Sequence, residues 1–94
     1  MIDILLHVDL LGMPDDTVFA ALHGGMTARK WVTTLTTDDG QSLPLPSGTY
    51  SGQTDEAISD LSQEIYEWIM AEIWDDGAIV LVNELAAWSI AGND

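Results

Sequence analysis

Between residues 54 and 77 the chain reads TDEAISDLSQEIYEWIMAEIWDDG, and its apolar side chains recur at a helical period. Thr54 is suited to cap the helix, Asp55 and Glu56 fall in the first turn, where the positive end of the helix dipole favours acids, and Gly77 follows the end. At about 100° per residue, Ile58, Leu61, Ile65, Trp68, Ile69 and Ile73 share one arc, the face expected to pack on a sheet. Glu72 projects into the same arc. A buried unpaired carboxylate is costly, so Glu72 must reach solvent near the helix end or find a partner.

The flanking segments supply the sheet. From residue 2 to 10, Ile2, Ile4, Leu6, Val8 and Leu10 alternate with Asp3, Leu5, His7 and Asp9, the period of a strand. MPDDTVFAALHGG (13–25) predicts a short helix that starts at Pro14, Asp15 and Asp16, stops at Gly24 and Gly25, and has Val18, Ala21 and Leu22 on its apolar side. RKWVTTLTTDDGQSLPLP (29–46) predicts a hairpin turning at Asp39 and Gly40, and Pro44 and Pro46 put its returning strand at a sheet edge. PSGTYSGQ (46–53) has the composition of a loop. GAIVLV (77–82) predicts a buried strand, and NELAAWSIAG (83–92) a short C-terminal helix capped by Asn83 and closed by Gly92. The order β-α-β-β-α-β-α predicts a single acidic α+β domain over residues 1–94, a small, mostly antiparallel sheet with helices packed on one face.

Charge narrows the function. Sixteen Asp and Glu face two bases, the adjacent Arg29 and Lys30, for a formal net charge of −14. A field of that sign repels nucleic acid and anionic lipid and steers basic proteins to the surface, so neither direct nucleic-acid binding nor membrane association is expected. The chain has no cysteine, which excludes disulfides and thiolate chemistry. Its first residues, MIDILLHVDLLG, lack a basic n-region and carry Asp3 and Asp9 within an apolar run too short for a membrane span, so a cytoplasmic protein is expected.

The acids are patterned. Opposite the apolar arc, Glu56, Asp60, Glu64 and Glu67 make a row whose neighbours lie about 5 to 6 Å apart along the axis, with no lysine between them. Like-charge neighbours cost a helix roughly 0.2 to 0.5 kcal/mol per pair, and an ordinary solvated face mixes in bases. Asp75 and Asp76 fall in the predicted last turn, where the dipole is negative and a base would be favourable. Trp74 projects near the angle of Glu67, either as a desolvated anchor amid the charge or as a core residue packed on another element. Local rules broken together point to function, here a surface read by a basic nucleic-acid-binding protein or complex. Solubility, adaptation to high salt, or a small acidic oligomerising domain accounts for the same charge, and a homodimer is compatible with it.

Other chemistry is thinner. His7 and Asp9 share a strand face and, with His23, could form a weak divalent-metal site of a metal-assisted hydrolase. The pairs Asp15–Asp16, Asp38–Asp39 and Asp75–Asp76 could act as acid and base if neighbours split their pKa values, though such pairs are common at turns and helix ends. With no P-loop, Gly-rich dinucleotide motif or nucleophile elbow, the expectation is a non-enzyme without metal or cofactor.

Two resemblances follow from these features. In size, acidity and its acid-lined helix the chain resembles the DNA-mimic inhibitors that phages deploy against CRISPR complexes, restriction enzymes and other DNA-binding proteins, which implies an anti-CRISPR-like or anti-restriction-like inhibitor. Separately, SGQTDEAISDLSQEIYEWI (51–69) is similar to the Gly-x-Thr-x-Glu-Glu-Ala helix start of HicB-type antitoxins through Gly52, Thr54, Glu56 and Ala57, which implies an antitoxin.

Overall fold

The computed structural model describes residues 1–36 and 39–85. Strand β1 (Ile2–Leu10) is followed by helix α1 (Asp16–Ala28), a hairpin of β2 (Thr34–Thr36) and β3 (Ser42–Pro44), strand β4 (Thr49–Thr54), helix α2 (Ile58–Trp68), one π-helical turn (Ile69–Ile73) and strand β5 (Ala78–Glu84). This is the expected α+β class, with one strand more than the expected order within these residues.

The alternation in β1 makes it the centre of a three-stranded sheet of order β4-β1-β5, antiparallel throughout. Ile4, Leu6, Val8 and Leu10 are buried and form the core with Leu22 and Met26 of α1, Trp31, Tyr50 of β4, and Leu61, Ile65 and Ile69. Ile58, Trp68 and Ile73 pack half-buried against it, so the apolar arc faces the sheet as expected. The β2–β3 hairpin forms as expected and is tied to β4 by paired backbone hydrogen bonds between Val32 and Ser51 at 3.0 and 2.8 Å.

Four local expectations are corrected. The 46–53 segment is largely strand: Thr49–Thr54 pairs with β1, and Tyr50 and Ser51 are buried. The paired β1 edge supplies the backbone partners that composition alone does not reveal. Helix α1 is capped by Asp15, whose Oδ1 accepts from Val18 N–H at 3.1 Å, but it runs through Gly24 and Gly25 to Ala28, and Ala21 is exposed. It closes in a Schellman arrangement: Trp31 N–H reaches Met26 O at 3.0 Å, Lys30 N–H reaches Thr27 O at 2.9 Å, and Lys30 takes the left-handed conformation at φ 70°. Strand β5 exists where expected but is half-exposed, with Ile79 and Leu81 open to solvent. Asn83 lies within β5, not at the start of a helix; the rest of the C-terminal helix expected there lies, from residue 86 on, outside the described residues.

Candidate functional site: the acidic face of helix α2

Helix α2 begins later than its sequence suggests. Thr54 ends β4, and the cap position is Ala57, which makes no side-chain capping bond. Thr54 Oγ1 still serves the turn by accepting Glu56 N–H at 3.1 Å, so Asp55 and Glu56 sit in the strand-to-helix connection and Asp60 is the acid of the first turn.

Glu56 nevertheless joins the row. The Glu64 carboxyl within hydrogen-bonding reach, followed by desolvation and the charges of Glu64 and Asp60, raises its pKa above the ordinary glutamate value, so the crowding inferred from the sequence is expressed as a bias toward protonation. Asp60, Glu64 and Glu67 are exposed along about 10 Å of helix, from a rise of ~1.5 Å per residue. Gln63 Nε2 braces Glu67 by donating to Oε1 at 3.0 Å, an i,i+4 pair visible in the sequence but not singled out there.

The bases are elsewhere. Arg29 lies at the end of α1 with its guanidinium carbon 4.0 Å from the centre of the Trp68 ring, and Lys30 follows it. Among the described residues none of Glu56, Asp60, Glu64 and Glu67 is paired with a base, while Asp55 meets the N-terminal ammonium at 3.3 Å.

Trp74, Asp75 and Asp76 do not extend this row. The π turn closes with Trp74 N–H on Ile69 O at 2.8 Å, and Trp74 itself is extended (φ −158°, ψ 124°). Its projection beside Glu67 therefore fails. The ring is half-buried against the core, and Nε1 donates to Leu11 O at 2.7 Å, which makes Trp74 a clamp on the β1–α1 loop. Asp75 and Asp76 are exposed in the bend before β5, one and two residues past the Trp74 cap, rather than in the last turn of the helix. The wider turn also swings Glu72 into solvent, which resolves its misfit.

The residues of the metal alternative share one groove but do not converge as a metal-holding group among the described residues. His7 Nδ1 lies 3.0 Å from Thr49 Oγ1, and His23 is tilted against Tyr50 with ring centroids 6.2 Å apart. Both line a groove of about 510 Å³ with Asp9, Phe19 and Leu45, yet no group of three or more His, Asp or Glu among the described residues is placed to hold a metal ion. No helix among these residues is long and apolar enough to cross a membrane.

Fold and site together define a small α+β domain with one acid-lined helix laid over its sheet. No known family profile matches the chain, and no curated protein is similar to it.

Proposed function

We propose that this chain is a non-enzymatic acidic interaction protein of the cytoplasm that occupies the basic, nucleic-acid-binding surface of a partner protein, in the manner of a DNA-mimic inhibitor. The observation that supports this reading is the exposed face of α2 and its leading turn, where Glu56, Asp60, Glu64 and Glu67 are paired with no base among the described residues, Arg29 being stacked on the Trp68 ring instead. Carboxylates on a rigid helix offer a partner's Lys and Arg the charge that phosphates would, at no cost in ordering a loop. Asp75 and Asp76 add negative potential at the far end of α2, and Trp74 acts by holding that end together.

Capture from lysate by the wild-type chain and by the Asp60→Lys, Glu67→Lys double variant, at low and high salt, tests it. A nucleic-acid-binding protein retained by the wild type at low salt only, and lost from the variant, is the expected result. Equal retention by both chains would leave the acids as a solubility device.

A further inference from the structure

Strand β1 runs past β4. Their pairing ends where His7 meets Thr49, so Val8, Asp9 and Leu10 continue without β4 beside them, while β5 pairs the other edge as far as Leu10. The loop before β4 turns back over this step: Gly48 O accepts Val8 N–H at 2.8 Å, and Thr49 N–H donates to Pro46 O at 3.0 Å. Between that pinned loop and α1 lies the groove of about 510 Å³, a size within the range of small-molecule sites. The last described residue, Leu85, bonds Asp3 on the β5 edge, about 20 Å back along β1 from Asp9, and the hairpin meets the groove at its base, Thr33 and Leu45.

Polar groups open on the groove from two sides. Leu11 N–H bonds Gly77 O on the β5 side and Val8 N–H bonds Gly48 O on the β4 side, so by the two-residue period Leu10 directs its N–H and C=O toward the groove. Tyr50 is 4% exposed, burial raises its pKa, and its hydroxyl makes no hydrogen bond among the described residues. No buried polar side-chain atom there is left unsatisfied, so the hydroxyl is the part of this buried side chain that meets the groove. Rings supply the walls: Phe19, 48% exposed, lies on α1 with His23, whose ring centre is 6.2 Å from that of Tyr50. Asp9 brings a carboxylate, and neither Arg29 nor Lys30 lines the groove.

We propose that this groove binds a small aromatic amine, a planar ring that carries one ammonium on a short alkyl chain. The ring lies among Phe19, His23 and Tyr50, and the ammonium has the Asp9 carboxylate, Leu10 O and the Tyr50 hydroxyl oxygen as acceptors. Charge selects the ligand. A chain of net charge −14 with no base in the groove disfavours carboxylates and phosphates, and an alkylammonium without a ring leaves the aromatic walls uncovered.

This site is separate from α2, and its test needs no other protein. In a heteronuclear NMR titration of the full chain, phenethylamine should bind saturably, with shifts centred on residues 7–10, 19–23 and 45–50. Phenylacetate, with the same ring and the opposite charge, and propylamine, with the charge and no ring, should leave those signals nearly unmoved at the same concentrations. Asp9→Asn and Phe19→Ala, both at exposed positions, should remain folded by circular dichroism and each weaken binding by about two- to fivefold. Tyr50→Phe, which keeps the buried ring, should weaken it as well. Absence of saturation, shifts spread along the α2 acids, phenylacetate or propylamine binding as well as phenethylamine, or variants that bind like the wild type would overturn the proposal and leave the reading of α2 untouched.

Discussion

Gly25 marks a helix stop by composition and serves as a packing contact in the fold. A Cβ there would lie 2.2 Å from the Trp68 ring, so the glycine lets α2 and the Arg29–Trp68 stack close against α1. Gly25→Ala should therefore destabilise by about 1–3 kcal/mol in urea denaturation although alanine is the better helix former. The stop that Gly24 and Gly25 suggest is supplied by Lys30, whose left-handed backbone nothing in its residue type announces. Trp74 was readable either as an anchor or as a core residue, and the decision rests on Leu11, 63 residues away in sequence. Trp74→Ala should lower stability by roughly 1–3 kcal/mol, through the lost hydrogen bond and half a ring of packing. Glu56 gives a pH signature. Its folded-state pKa is raised, mainly by the Glu64 carboxyl within hydrogen-bonding reach, so the folded chain holds a proton that the unfolded chain has released. Stability should thus rise as pH falls through the mildly acidic range above the ordinary glutamate value, and Glu56→Gln should flatten that part of a melting-temperature profile.

At the scale of elements, the apolar arc of α2 was legible because its burial is set by a period that sequence displays directly. Ile65 and Ile69 are 2% and 0% exposed, and truncating either to alanine should cost about 2–5 kcal/mol in chemical denaturation. The ends of the same helix were less legible. The cap position lies three residues beyond the best capping residue, since Thr54 is held in the β4–β1 ladder, and the finish depends on a π turn whose i to i+5 bond has no composition signal. Strand β4 was hidden for a related reason. Gly48, at φ +83°, lets the chain approach Val8 O, where a Cβ would stand 2.7 Å away, and Gly52 leaves room for the Trp31 ring. Both glycines permit close approach within a sheet, although in sequence they look like loop punctuation.

For the molecule as a whole, charge was the property most plainly written in the sequence, and its arrangement was half readable: the α2 row is real, whereas Asp75 and Asp76 belong to a bend beyond the helix. Sixteen acids against two bases leave a net self-repulsion, so the melting temperature should climb from low to molar NaCl. A flat profile would mean the repulsion is already relieved in the fold. The central claim is that α2 stands in for nucleic acid, and competition measures it most directly. Association of the captured partner with the wild-type chain, followed kinetically at two salt concentrations with and without DNA or RNA, should be fast, steeply salt-dependent and blocked by the nucleic acid. The Asp60→Lys, Glu67→Lys variant, confirmed as folded, should associate slowly and compete poorly. Unchanged binding by that variant, indifferent to added nucleic acid, would contradict the account.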